Sequence, residues 1–197
     1  KISKPISVFD ISKFNILYSG NIGAKQDWDL FIDFVEKCHG IQQIKIYLIG
    51  EGAKRKEVVE RIKPYNNCKY LPPVRYEGLN DLLCNADLHL LFQKDSVLDT
   101  VMPSKILGMM ASAKPSIVTG HKDSEVKHNF YNSRGGFYFH GDDKMNKIME
   151  TVKKIIENSN ESISVGENAR NFVIEKYSSE KVLSQFQQNI EKYLLLK

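Results

Sequence analysis

A chain of 197 residues with 42% hydrophobic and 26% charged content can bury the core of one domain, or one and a half, and reads as an ordinary soluble globular protein. Its 28 basic and 24 acidic residues leave a net charge of +4, too mild and too dispersed to argue for nucleic acid, since no basic stripe with interleaved aromatics occurs. No apolar run approaches the ~20 residues of a membrane-spanning helix and no signal peptide opens the chain, while the three scattered cysteines, Cys38, Cys68 and Cys84, read as buried, reduced thiols of a cytoplasmic protein.

Lys1 is not a natural start, so a fragment is expected, with residues 1–13 as a linker entering the domain. "FNILYSG" gives a short strand over Phe14–Tyr18 that ends at Gly20. Asp27–His39 follows as a helix, with Leu30, Phe31, Phe34, Val35 and Cys38 on one face. Ile44–Ile49 is a second strand, apolar enough to be buried on both faces, and again ends in glycine. Lys54–Lys63 reads as a helix, Cys68–Leu71 as a third strand, and Asn80–Asn85 continues a helix with Leu79, Leu82 and Leu83. "ADLHLLFQ" supplies strand four. The segment Val101–Ser112 follows, an extended lead-in and then a helix with Pro103 in its first turn and Ile106, Leu107 and Met110 on one face. "KPSIVTG" and "GGFYFHGDD" supply strands five and six, and everything from Lys144 is helical in three pieces.

Strands that alternate with helices imply βαβ units, a parallel sheet and helices on both of its faces. Ligands of such sheets sit outside the carboxyl ends of the strands. The loops of interest are therefore "GNIGAKQ", "GEGAKRK", "PPVRYEG" and "QKDSVLDTVMPSK". In the first, Gly20 and Gly23 let backbone N–H groups approach a phosphate, and Lys25 adds a charge before a helix start. A plain tight turn would use the same glycines, and the third glycine of the dinucleotide fingerprint is absent. In the second, Gly50 and Gly52 allow close ligand approach, while Arg55 and Lys56 read as a solvated helix face. The acids of Asp27-Trp28-Asp29 open a helix and complement its dipole; they offer too few oxygens for a divalent ion. The five histidines show no metal-ligand spacing, and His89 reads as a structural residue on the ligand-side half of strand four.

In combination, "LYSGNIGAKQ", "LIGEGAKRKEVV", "LPPVRYEGLNDLLCNADLHLLFQK", "VMPSKILGMMASAKPSIVTG" and the ending "NARNFVIEKYSSEKVLSQF" resemble the carboxyl half of the retaining, family 4 nucleotide-sugar glycosyltransferases of the GT-B fold. The likeness is strongest to the branch that builds colanic acid, O-antigen and capsule. It implies a Rossmann-like, doubly wound parallel sheet of about six strands with a helical C-terminus, one half of a GT-B enzyme. On this reading residues 14–178 bind the donor and residues 179–197 form a helix that meets an absent, acceptor-binding N-terminal domain.

The resemblance further implies a nucleoside-diphosphate sugar as substrate, a UDP-sugar by preference, with no cofactor and no essential metal. The acceptor would be a growing, lipid-linked glycan, and the site of action the cytoplasm, at the inner face of the bacterial membrane. Gly20, Asn21, Gly23 and Lys25 would approach the diphosphate; Asn21 and Gln26 stand near the places of the family's Arg and Lys. Gly50 and Gly52 match the turn below the nucleotide, and the Pro73–Val74 backbone matches the segment that reads the base edge. Gln93 and Asp99 belong to the same donor-facing set, and Pro103, Ser104 and Lys105 match the helix start that holds phosphate and ribose. The ribose-gripping glutamate of many relatives is replaced by Gly108. Lys25 and Lys105 are expected at loop edges, with little weight in folding, and two roles stay open for Lys105: contact with the anion or support of the loop. No general base is assigned. Two rival readings share the fold: a sugar-nucleotide-binding subunit of a two-chain transferase, and a sugar-nucleotide epimerase, whose catalytic acids and histidine cannot be assembled here. On the last helix, Val182, Phe186, Ile190, Tyr193 and Leu194 form one apolar stripe, part of which is expected to pack on this domain while "YLLLK" stays partly uncovered.

Overall fold

The computed structural model describes residues 8–98 and 104–195. Six parallel strands form one sheet: β1 (Phe14–Ser19), β2 (Ile44–Ile49), β3 (Cys68–Leu71), β4 (Leu88–Phe92), β5 (Ser116–Thr119) and β6 (Phe137–Phe139). Their order is β3-β2-β1-β4-β5-β6, so the winding reverses between β1 and β4. Helices α1 (Trp28–Lys37), α2 (Arg55–Ile62), α3 (Tyr76–Asn85), α4 (Ser104–Ala111) and α5 (Glu125–Ser133) make the crossovers, and α6 (Lys144–Glu157), α7 (Ser159–Tyr177) and α8 (Ser179–Leu195) close the chain.

The pleat decides what each strand buries. Along β1, Ile16 and Tyr18 join Phe31 and Phe34 of α1 in the larger core, and Leu17 joins Tyr47, Ile49, Leu82 and Ala86 in a second cluster under α3. Every residue of β4 is buried, which suits a central strand covered on both faces. Phe34 meets Phe92 edge-on at 5.7 Å, a geometry worth about 0.5–1.5 kcal/mol beyond the area it buries. Phe9 packs edge-on against Tyr47 at 4.9 Å, and the Tyr47 hydroxyl accepts from the Asp10 N–H, so residues 8–10 lie against the second cluster.

The helix starts follow their caps. The Asp27 side chain accepts from the Leu30 N–H at 3.0 Å and Asp29 pairs with Arg61, so both acids serve the helix as the sequence suggests. Met145, Ile148, Val152 and Ile155 give α6 its buried stripe. On α7, Gly166 lets the helix pass against the end of α4: a Cβ there would lie 2.1 Å from the Ala113 carbonyl oxygen.

Several expectations change. Helix α3 begins at Tyr76, four residues before Asn80, and α5 joins β5 to β6 where no helix was expected. Of the cysteines only Cys38 is fully buried; Cys68 and Cys84 are half-buried, and all three are free thiols. Burial pushes the Cys38 and Cys68 thiols up to about 12, which keeps both unreactive. The apolar stripe of α8 does not pack on the domain. Val182, Phe186, Ile190, Tyr193 and Leu194 are between 45% and 64% exposed, because α8 turns away at Ser178 and its main contact is with α7. The Leu195 side chain and Leu196 lie outside the described residues.

Candidate functional site

The carboxyl ends of β1, β2 and β3 converge on a cavity of about 300 Å³. Gly20, Asn21, Gly50, Pro73 and Val74 line it, together with Glu51. Two backbones touch at its floor. A Cβ on Gly50, whose φ is +157°, would sit 1.8 Å from the Gly20 carbonyl oxygen, so only glycine fits this corner.

The loop after β1 is held from below. The Tyr18 hydroxyl donates to the Asn21 carbonyl at 2.6 Å, the Trp28 indole N–H donates to the Gly23 carbonyl at 2.7 Å, and the Gly23 N–H donates to the Gln26 side chain at 3.1 Å. Ile22 is buried between them, with its N–H on the Glu51 carbonyl and its own carbonyl accepting from the Lys54 N–H. Gly52 faces the Ile22 carbonyl and the Asn21 side chain and so buttresses the loop from behind. Lys25 is exposed, its carbonyl accepting from the Lys94 N–H.

A second set of contacts ties this loop to the end of β4. Gln26 and Gln93 form an isolated antiparallel bridge, and the Asp27 N–H donates to the Phe92 carbonyl. Gln93 is buried, and its carbonyl accepts from Thr119 Oγ1. Lys144 at the start of α6 reaches both sides, 3.6 Å from Asp27 and 3.1 Å from Asp95. The Lys144 and Asp27 side chains are half-buried and Asp95 is open to solvent, so the pairs are worth about 1 kcal/mol or somewhat more, and Lys144→Ala should cost a modest amount of stability. Its expected effect is local, with faster hydrogen exchange at the Asp27 and Lys94 amides. Unchanged exchange at both would show that Lys144 does not clamp the loops.

Lys105 departs from its expected place at a loop edge. The residue as a whole is half-buried, but Nζ is shut off from solvent and has no hydrogen-bond partner among the described residues. It lies 3.6 Å from the centroid of the Tyr18 ring, and a Cβ on Gly20 would come within 3.2 Å of it. Burial pushes the Lys105 amine down to about 7. Ser104 opens α4 beside it and is exposed, and the first-turn N–H groups of a helix have no partner inside the helix. Asp99 and Pro103 lie outside the described residues. His89 is structural: Nε2 pairs with Ser112 Oγ at 3.0 Å, and burial pushes the imidazole down to about 3. Among the described residues no three His, Cys, Asp or Glu side chains gather as a metal set.

Sequence comparison places this geometry. Residues 13–158, well over half of the chain, match the family model of the glycosyl transferases group 1. The chain belongs to that family. A relative is the colanic acid biosynthesis glycosyl transferase WcaI of Escherichia coli (strain K12); it is 30% identical over 113 residues, 56% of this chain and 28% of WcaI. Among solved structures, S. aureus TarM in a complex containing UDP superimposes with a TM-score of 0.75 at 17% identity, over 95% of this chain and 37% of TarM. Anabaena Alr3699/HepE with UDP-glucose gives a TM-score of 0.71 at 15% identity, over 91% of this chain and 49% of HepE. The C-terminal domain of the group 1 protein LpcC from Francisella tularensis gives 0.67 at 16% identity, over 84% of this chain and 87% of that domain. The chain thus spans less than half the length of WcaI, TarM and HepE, and these structures establish the fold.

Proposed function

We propose that this chain is the donor-binding half of a glycosyltransferase that moves a sugar from a nucleoside diphosphate, UDP by preference, onto a growing lipid-linked surface glycan with retention of configuration. The observation that carries this reading is the convergence at the β1/β4 reversal. A glycine corner, a helix start and an unpartnered buried amine meet where an open α/β sheet takes its ligands. The UDP and UDP-glucose held by TarM and HepE support the preference for UDP.

The chemistry follows from the parts. As the bond from the anomeric carbon to the phosphate oxygen breaks, its electron pair goes to the leaving diphosphate. The α4 start, the backbone around Gly20 and Lys105 would stabilise that charge. The rest of the catalytic cleft belongs to an acceptor-binding N-terminal domain, and the uncovered stripe of α8 is a surface for it. The enzyme would act in the cytoplasm, at the inner face of the membrane.

Calorimetry with UDP, GDP and their sugars tests the donor site. Binding in the millimolar range or tighter is expected for at least one, and EDTA should not remove it. No heat from any of them would sink the reading. The isolated chain should show no sugar transfer to a lipid-linked acceptor, and measurable turnover would refute the assignment of the acceptor site to a separate domain.

A further inference from the structure

We propose that Lys105, beneath the Gly20 turn, gives up its proton above neutral pH in the free protein and takes one up as the diphosphate arrives, so that ligand capture and protonation are one event there; this rests on the donor-site reading above. An ammonium group carries three donors and wants acceptors for them. Around Lys105 Nζ there is no water-accessible surface and no acceptor among the described residues, only the Tyr18 ring face at 3.6 Å and the Gly20 backbone. A ring face returns part of the cost of stripping an ammonium of water, and the remainder favours the free amine. The amine falls to about 7 for this reason.

Nothing charged nearby reverses that balance. Among the described residues, the titratable groups that face Lys105 are Tyr18 from β1 and His89 from β4. Burial holds the Tyr18 phenol above its ordinary value, so it stays neutral, and holds His89 down to about 3, so it is neutral as well. No described carboxylate pairs with Lys105 Nζ. A diphosphate seated between the Gly20 turn and the first turn of α4 would supply the missing acceptors and the missing charge. The amine would then recover its proton, and the hydrogen bonds formed would be charge-assisted. The step balances as one proton taken from solvent for each diphosphate bound.

The sign of the pH dependence follows. The free protein holds Lys105 near 7, and the complex holds it higher. Above about pH 7 binding therefore consumes a proton, and affinity falls by up to about tenfold for each pH unit. The test is calorimetry of UDP binding at about pH 8 in two buffers of different ionisation enthalpy. The difference between them is expected to report close to one proton taken up. Lys105→Arg, charged at every accessible pH, should bind with no proton uptake and a flat profile. If arginine does not fit beside Gly20, Lys105→Met carries the test, and its residual affinity should not vary over the same range. Binding by the wild type with no proton uptake, or a pH profile that survives in Lys105→Met, overturns the coupling alone. A wild type that binds no UDP overturns the donor site itself, and the coupling with it.

Discussion

Lys105→Met is expected to raise the melting temperature near neutral pH while weakening UDP binding about ten- to a hundredfold. The second effect is the loss of a charge-assisted hydrogen bond, about 1.5–3 kcal/mol. The first comes from the amine's burial without a partner, which methionine relieves while keeping an unbranched side chain over the Tyr18 ring. Lys105 falls from its ordinary 10.5 to about 7 on folding. Between these values the unfolded chain binds more protons, so the wild type loses stability as pH falls from 10.5 toward 7. The advantage of methionine should be full at pH 7 and vanish toward pH 10.5. Thermal melts of both proteins across that range measure it. A Lys105→Met protein less stable than wild type at pH 7 would mean that the amine is a structural support.

Gly50→Ala should be the most damaging single change at the site. The new methyl would fall 1.8 Å from the Gly20 carbonyl oxygen, so the ends of β1 and β2 would have to separate. The cavity floor and the perch of Lys105 would go with them. Strain of this kind costs several kcal/mol, enough to unfold a marginal domain. Gly40→Ala is the control. Gly40 has a φ of +153°, close to that of Gly50, but a Cβ there meets nothing within 4 Å. It should lose only the backbone term, about 1 kcal/mol. Equal losses from the two substitutions in urea melts would show that φ, and not the Gly20 contact, sets the cost.

The strands were readable because each is a short, mostly apolar run, and all but β4 have a Gly or Pro directly after the strand or within two residues of it. Residues 44–49 and 68–71 match the observed β2 and β3 end to end. Helix α5 was hidden because its buried face carries Asn129 between Val126 and Phe130, which breaks the apolar period; the Ser124 cap, whose Oγ accepts from the Val126 N–H, was the available signal. The start of α3 was hidden by Gly78 in its first turn and by Arg75, which caps without a side-chain bond. At the site, the glycines and Pro73–Val74 could be placed from their position after the strands. The path of the Lys105 side chain could not. Four methylenes allow Nζ to face solvent or to thread under the neighbouring loop, and only the three-dimensional meeting of β1 with α4 selects between them. The clamp made by Lys144 was equally invisible, because Asp27, Asp95 and Lys144 lie far apart in sequence.

The strand order has a consequence for how the chain is made. Of these six strands β1 is the first to leave the ribosome, and it sits inside the finished sheet with β2 and β4 on its two sides. Once residue 71 has emerged, the β3-β2-β1 half can zip together. The other edge of β1, with the apolar Ile16 and Leu17 along it, must then wait for Leu88 and His89. During that interval β1 offers unpaired N–H and C=O groups to any passing strand. Parallel pairing over such a separation is slow. The nascent chain therefore has a window, at the length where β3 is out and β4 is not, in which it is most open to aggregation and most in need of a chaperone.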